Sequence, residues 1–123
     1  MTNSSEAPIP GRGEVWLVSM GATHRGEPGK NRPAVILSDS RIASGTPREP
    51  VVVVPLSASS APSALRIAVT APEALDKPSV ALCPFVRGVA RARLLQRLGA
   101  LPEPEVDAIA MAVSAIVRAS PPT

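Results

Sequence analysis

The chain has 123 residues, a length typical of one domain, and 45% of them are hydrophobic. Thirteen basic and ten acidic residues give a formal net charge of +3, which mildly favours an anionic partner. One cysteine and one histidine exclude an internal disulfide, a thiolate metal cluster and a pair of catalytic histidines. We therefore expect no metal site and no cofactor. Because Trp16 and Phe85 are the only aromatic residues, a base-stacking RNA module would lack its usual platform.

The two ends of the chain are predicted to be flexible tails around a single domain. Residues 1–9 are polar and residues 119–123 are rich in proline, which is typical of loose termini, so the domain is expected at 10–118. No basic segment followed by an apolar stretch opens the chain, and no run of about 18 apolar residues occurs. These features predict a cytoplasmic protein without a membrane span.

Short apolar runs predict at least five strands. The runs occupy residues 14–18, 34–37, 51–56, 65–69 and 79–83. The second and third runs are apolar on both faces, so we expect them at the centre of a sheet. The fourth run alternates apolar and polar residues, which indicates one face towards solvent. Pro84 then interrupts the fifth strand and suggests a sheet edge or a bulge.

The last segment changes to the period of a helix. Apolar residues recur at helical spacing at Val106, Ile109, Ala110, Val113, Ile116 and Val117. Pro102, Glu103 and Glu105 suit a first turn, and Arg118 suits the opposite end. The predicted fold is mainly β with a C-terminal helix (α+β): a small, strongly bent sheet or open barrel of short antiparallel strands with the helix packed on it.

Two connections contain the candidate functional residues. Residues 19–31 form a long loop, and loops of this length in a compact domain are usually functional or disordered. The basic residues of this loop, His24, Arg25 and Lys30, suit an anionic partner, and Glu27 lies among them. Arg32 follows at the mouth of the second strand, directly before Pro33. The second connection is a serine-rich stretch that begins at Ser57, after a buried strand.

Five short motifs follow one another along the chain: Gly13-Glu14-Val15-Trp16, the loop Gly26 to Pro33 leading into Ala34 to Ser38, Val53 to Ser57, Asp76 to Cys83, and Arg93 to Leu101. In this order they resemble the MazF/PemK toxins, the endoribonuclease half of bacterial toxin–antitoxin pairs. The resemblance covers residues 11–118. It implies a small SH3-like barrel of the CcdB–MazF type, a homodimer, and metal-independent, sequence-selective cleavage of single-stranded RNA. It also implies a MazE-like antitoxin that lies along the dimer and blocks the RNA groove.

The resemblance implies catalytic positions at Arg32 and Ser57, and a further one at Glu27. Pro84 and Phe85 stand where the family often has Asp-Gln, so the RNA contacts made by that glutamine are not expected here. Arg87 keeps the basic end of that motif. It joins the loop residues His24, Arg25 and Lys30 as a predicted RNA contact.

The chemistry of RNA cleavage is consistent with these residue types. Attack by a ribose 2′-hydroxyl needs alignment with phosphorus, neutralisation of the phosphoryl oxygens and a proton for the leaving oxygen. The fork of Arg32 can bind two phosphate oxygens, but its fixed charge makes it a poor proton shuttle. We therefore expect Arg32 to stabilise charge. Ser57 can orient the 2′-hydroxyl or donate to a phosphoryl oxygen, and Glu27 or His24 can accept the proton.

Other readings remain open at this point. Arg32 can be a solvated charge at a strand end, and Ser57 can be an ordinary turn serine. The chain can also be a protein-binding toxin of the same fold, similar to the CcdB gyrase poisons, which need no catalytic groups. A non-enzymatic nucleic-acid-binding barrel and an inactive RNA-binding member of the family are further alternatives.

Overall fold

The computed structural model describes residues 10–21, 30–39, 49–71 and 73–118. The strands are β1 (Glu14–Ser19), β2 (Asn31–Ile36), β3 (Pro50–Ser57), β4 (Arg66–Val69), β5 (Ser79–Leu82), β6 (Arg87–Ala90) and β7 (Leu94–Ala100). One α-helix, α1, covers Glu103–Val117, and short 3-10 helices cover Cys83–Phe85 and Arg91–Arg93. The two predicted tails lie outside the described residues. Within the described ranges, no helix has the length and apolar character needed to cross a membrane.

The strands form one antiparallel sheet in the order β4-β5-β3-β2-β1-β7, and β6 pairs with β3 beside this path. The predicted central positions of the second and third strands are therefore confirmed. So is the mainly β class with one C-terminal helix. Among the described strands the hydrogen-bonded path runs from β4 to β7 without closing, so of the predicted bent sheet or open barrel the structure shows an open sheet.

Two prolines lie inside central strands, at positions where the absence of a backbone N–H removes no recorded hydrogen bond of the sheet on one side. Pro33 of β2 pairs with β1, but the recorded ladder between β2 and β3 begins only at Ala34. Pro55 of β3 lies between Val53, the last partner of β6, and Leu56, the first partner of β5. Proline is tolerated where a strand has an unpaired edge, so both residues fit a sheet that bends as β3 changes neighbours.

The core has two apolar clusters, one on each face of the central strands. One contains Val15, Val35, Val54 and Leu56 together with Val106, Ile109 and Ala112 of the helix. The other contains Trp16, Val18, Met20, Ala34, Ile36, Val51, Val53 and Val89. Because neighbouring residues of a strand point to opposite faces, β2 and β3 supply side chains to both clusters, and they are apolar except for Asn31, Arg32 and Ser57 at their ends. Trp16 is only 7% exposed, so it is a core residue of this chain.

The helix begins and ends close to its predicted limits, but its last turn is less buried than expected. Glu103 and Glu105 lie in the first turn, and Arg118 caps the C-terminal end. Val106, Ile109 and Ala112 are buried against the sheet. Ile116 and Val117, predicted on the apolar face, are 39% and 71% exposed because the last turn lies outside the main cluster.

The strand predictions need three corrections. Strand β2 begins at Asn31 instead of residue 34, and the fifth strand ends at Leu82, where Pro84 forms a 3-10 helix with its neighbours. Strands β6 and β7 had not been identified individually. Strand β7 was missed because it is mostly exposed and therefore has no regular pattern of buried apolar residues. Its Leu, Gln and Arg residues also have no strong preference for strands.

Candidate active site

Arg32 and Ser57 belong to neighbouring strands and line the same cavity. The ladder between β2 and β3 pairs Ile36 with Val53 and Ala34 with Pro55. The ladder ends at the second of these pairs, and Arg32 and Ser57 lie two residues beyond it on their strands, at positions that the same register would set opposite each other. Directly opposite residues of an antiparallel pair share a face, with Cβ atoms about 4.5–5.5 Å apart. The fold thus brings together the two residues that the sequence singled out from separate connections.

Arg32 is half-buried at the mouth of β2. Its backbone pairs with Val18 of β1, and Pro33 follows it in the strand. Its Nε is buried, and among the described residues no atom accepts a hydrogen bond from it. A buried donor without an acceptor costs about 1–3 kcal/mol. The side chain is therefore held in the cavity wall without an internal acceptor for this N–H.

Ser57 ends β3 and is only 6% exposed. Its Oγ accepts a hydrogen bond from the backbone N–H of Ser59 at 3.2 Å and lies 3.1 Å from the Ser59 Oγ. Because the backbone N–H already supplies one donor, the Ser57 hydroxyl proton can be donated to a second acceptor. This local bond fixes the oxygen, so Ser57 is a positioned donor and not a freely rotating surface hydroxyl.

The cavity measures about 480 Å³, within the range of small-ligand sites, which is about 300–1,000 Å³. Its walls come from β2, from the end of β3, and from the connection between β4 and β5. Besides Arg32 and Ser57, it is lined by Asn31, Pro33, Leu56, Ala58, Ser59, Ala74, Leu75, Asp76, Lys77 and Ser79. Sequence reasoning had given no role to Asp76 and Lys77. The only signal was a short Asp-Lys-Pro-Ser turn before β5, which is also typical of an ordinary connection.

The connection between β4 and β5 is attached to the rest of the fold at three points. Glu105 of α1 accepts hydrogen bonds from the backbone N–H and the hydroxyl of Thr70, at 2.8 and 2.7 Å. Ala74 packs on Gly99 of β7 so closely that a Cβ on that glycine would lie 2.9 Å from the Ala74 Cβ. Near the end of the connection, the Ser79 hydroxyl donates to the carbonyl of Lys77 at 3.0 Å. This wall of the cavity is thus held by both the helix and the far strand.

The base of the long loop lies next to the cavity. Lys30 has a positive φ of 58° and exchanges backbone hydrogen bonds with Met20 and Gly21, at 2.7 and 2.8 Å. Arg87 donates to the carbonyl of Met20 and Arg93 to that of Ser19, both at 3.1 Å. Both arginines therefore fix the end of β1, from which the loop departs.

Of the five residues predicted to act as a base or to contact RNA outside the Arg32–Ser57 pair, the structure describes only Lys30 and Arg87. His24, Arg25 and Glu27 lie outside the described residues. Lys30 is exposed and directly precedes the cavity-lining Asn31. Arg87 is exposed but does not line the cavity, and its described contact is the hydrogen bond to Met20.

A comparison with protein families identifies the fold's relatives. The model of the PemK-like, MazF-like toxin of type II toxin–antitoxin systems matches residues 11–117. The chain belongs to this toxin family. The match extends over the sheet, both sides of the cavity and the C-terminal helix.

Solved structures of MazF toxins share this fold. MazF from Deinococcus radiodurans (Form-I) superposes with a TM-score of 0.76 at 17% identity, covering 89% of this chain and 97% of that one. The Mycobacterium tuberculosis toxin MazF-mt6 gives a TM-score of 0.66 at 22% identity, covering 83% and 93%. An endoribonuclease from Mycobacterial species in complex with its cognate antitoxin gives 0.65 at 19% identity, covering 86% and 92%.

Two further side chains with ionisable groups, Cys83 and Glu14, do not line the cavity and belong to the packed part of the fold. Cys83 is fully buried, and burial raises the pKa of its thiol, so it behaves as a small apolar residue. Glu14 accepts hydrogen bonds from Trp16, Gly11 and Arg97. Partial burial raises the pKa of the Glu14 carboxyl, but these donors outweigh that effect and the net pKa is lowered. No group of three metal-ligating side chains occurs within the described ranges.

Proposed function

We propose that this toxin is an endoribonuclease that cleaves single-stranded RNA without a metal ion, by attack of a ribose 2′-hydroxyl on the adjacent phosphate. The observation that carries the proposal is the presence of Arg32 and Ser57 in one cavity, each two residues beyond the last pair of the ladder between β2 and β3. Membership of the PemK-like, MazF-like toxins supports it, as does the shared fold with a mycobacterial endoribonuclease.

In the proposed reaction, the 2′-oxygen bonds to phosphorus as the bond from phosphorus to the 5′-oxygen breaks. The 2′-hydroxyl loses its proton to a base, and the leaving 5′-oxygen gains one. The products are a 2′,3′-cyclic phosphate and a 5′-hydroxyl end. No redox change occurs, so positioning and charge stabilisation are the main contributions a protein can make.

Arg32 is proposed to bind the phosphoryl oxygens. Its guanidinium carries a fixed positive charge and can donate two parallel hydrogen bonds to a phosphate. Because its Nε has no acceptor among the described residues, a bound phosphate can satisfy a donor that the folded protein leaves unpaired. The same fixed charge makes Arg32 a poor proton shuttle, so its role is to stabilise the charge that develops on the oxygens.

Ser57 is proposed to donate its hydroxyl proton to a phosphoryl oxygen or to orient the 2′-hydroxyl. The Ser59 N–H holds its oxygen in place, so little reorientation is needed when substrate binds. Glu27 is proposed as the proton acceptor. His24, Arg25, Lys30 and Arg87 are proposed to contact the RNA backbone; the position of Lys30 beside the cavity supports its part in this.

We also propose that the chain forms a homodimer and binds a cognate MazE-like antitoxin that covers the RNA groove. The type II toxin family and the structure of a related endoribonuclease with its antitoxin support the second partner. Exposed Met111, Ile116 and Val117 on α1 provide apolar surface that association can cover. Light scattering of the chain alone and with a co-expressed antitoxin measures both assemblies.

The decisive experiment incubates the purified protein with a long single-stranded transcript in EDTA and maps the new ends. We expect discrete cuts with 5′-hydroxyl termini. Arg32→Ala should lower single-turnover cleavage by about 10²–10³ while the protein remains folded, because it removes a pre-placed donor. Arg66→Ala is the matched control, since Arg66 is exposed on β4 and does not line the cavity.

Two results would contradict the proposal. A folded Arg32→Ala variant that cuts as fast as the wild type removes Arg32 from the chemistry. Intact RNA with the wild type, together with inhibition of DNA gyrase in a supercoiling assay, favours the protein-binding toxin; intact RNA that is only bound favours an inactive member of the family.

A further inference from the structure

Lys77 supplies a second cation to the cavity that contains Arg32. It lies in the connection between β4 and β5, on the wall formed by Ala74, Leu75 and Asp76. Its side chain is exposed, and none of the ion pairs among the described residues involves Lys77 or Arg32. Both cations are therefore available to an anionic ligand, and the exposed carboxylate of Asp76 leaves these three side chains with a net charge of +1.

The backbone of Lys77 is fixed although its side chain is free. Its carbonyl accepts a hydrogen bond from Ser79, whose side chain lies at the start of β5 and is only 8% exposed. The same connection packs on β7 through Ala74 and is tied to α1 through Thr70. A lysine carries its charge on a flexible four-carbon stem. With its backbone fixed in the cavity wall, Lys77 can therefore place its ammonium group at several positions over the cavity opening.

We propose that Lys77 binds a phosphate of the RNA next to the one that Arg32 holds, and so keeps the strand across the cavity. This inference rests on the proposed function, and it adds a binding residue on the cavity wall formed by the connection between β4 and β5. The two cations have suitable chemistries for the two tasks. Arg32 offers a planar fork at the reacting phosphate, and Lys77 offers a mobile point charge at a neighbouring one, which needs attraction but no defined geometry.

A phosphate contact of this kind has a characteristic effect on kinetics. Lys77→Met should raise the KM for RNA roughly threefold to fivefold at low salt and change kcat by less than about twofold. The slope of log(kcat/KM) against log[salt] should become shallower by about 0.7, the value for one contact to a single strand. Lys77→Arg should restore both. Arg66→Met removes one positive charge outside the cavity and should leave the slope unchanged.

A second readout does not depend on cleavage. Lys30 and Lys77 are the only lysines of the chain, so acylation with an N-hydroxysuccinimide ester followed by peptide mass spectrometry reports each one directly. The probe is a pool of random-sequence, fully 2′-O-methylated single-stranded RNA 20-mers, which cannot be cleaved. We expect this pool to slow acylation of Lys77 at least about fivefold, and about 1 M salt to abolish the protection.

The two readouts separate failure of this inference from failure of the proposed function. If the wild type cuts RNA but Lys77→Met keeps the wild-type salt slope and Lys77 is not protected, the inference is wrong and the nuclease stands. If Lys77 is protected but no RNA is cut, the phosphate contact stands and the nuclease does not. An equal rise in KM and an equally shallower salt slope in Arg66→Met would also overturn the inference, because the effect would then come from the net charge of the protein and not from the position of Lys77.

Discussion

Gly99 of β7 lies directly under the connection that carries Asp76 and Lys77, and an alanine there should displace it. A Cβ on Gly99 would lie 2.9 Å from the Ala74 Cβ, well inside the separation of about 3.5–4.0 Å at which two carbons attract. Gly99 has no positive φ, so an alanine can adopt its backbone conformation. The expected effect of the substitution is therefore steric and confined to the contact with Ala74.

The size of the effect follows from the two opposing contributions. Overpacking a fixed contact costs about 1–3 kcal/mol of unfolding free energy. Replacing glycine by alanine in an allowed conformation returns about 0.4–1 kcal/mol through the unfolded state. Gly99→Ala should thus destabilise the protein by roughly 1–2 kcal/mol. When Ala74→Gly is also present, the nearest atoms are the backbone Cα and N at 3.6 Å, an ordinary contact, and Gly99→Ala should become neutral or stabilising.

The measurement is a double-mutant cycle by urea unfolding of the wild type, both single variants and the double variant. Trp16 is the only tryptophan and is buried in the core, so its fluorescence reports global unfolding. We expect a coupling energy of about 1–3 kcal/mol between positions 74 and 99. If Gly99→Ala lowered the unfolding free energy equally with and without Ala74→Gly, the contact between residues 74 and 99 would not be what holds this wall of the cavity in place.

Three further predictions concern the site and its framework. Ser57→Ala should lower single-turnover cleavage about 10²-fold, whereas Ser57→Thr keeps the hydroxyl and should stay within about tenfold of the wild type; equal losses would contradict a donor role. Glu14→Gln should destabilise the fold by about 1 kcal/mol at pH 7. The pKa of Glu14 is lower in the folded protein than in the unfolded chain, so the Glu14 carboxylate stabilises the fold above about pH 4.3 and this stabilisation is lost as the pH falls. The urea midpoints of the wild type and of Glu14→Gln should therefore converge in acid. A difference between the two midpoints that stays constant with pH would refute this. Arg32→Met should leave the unfolding free energy unchanged or raise it by up to about 1 kcal/mol, because it removes a buried donor without an acceptor. It should at the same time lower cleavage by about 10²–10³, as the transcript assay can show. A large loss of stability in urea unfolding would count against this.

The parts of the fold that the sequence predicted are those buried on a regular face. Strands β2 and β3 face both apolar clusters, so nearly every position is apolar, and this marks them as central. The helix buries Val106, Ile109 and Ala112 at helical spacing, and its acidic first turn marks its start. In each of these elements the buried positions recur at regular intervals, so apolar residues recur at the same intervals in the sequence.

Strand β7 shows why other parts could not be predicted. It is an edge strand, four of its seven residues are exposed, and its Leu, Gln, Arg and Ala residues favour a helix when considered alone. Its pairing with β1 involves residues more than 75 positions away in sequence, such as Glu14 with Ala100. Long-range pairing overrides local preference here, and nothing within the strand records the partner. The cavity wall at Asp76 and Lys77 received no functional role for a similar reason: polar residues of a connection have no period, so the turn and the family motif there did not indicate a cavity.

The meeting of Arg32 and Ser57 depends on register, which the sequence expresses only indirectly. A shift of one residue between β2 and β3 would place Ser57 opposite a neighbour of Arg32 and move its side chain to the other face of the sheet. The four consecutive valines Val51 to Val54 do not select the register, because that shift exchanges them like for like. The shift would instead turn Leu56 away from the cluster that it shares with the helix, where it is only 2% exposed, and would bury Val52, which is 38% exposed. The packing of Leu56, next to Ser57 in the chain, therefore contributes to the register on which the positions of Arg32 and Ser57 depend.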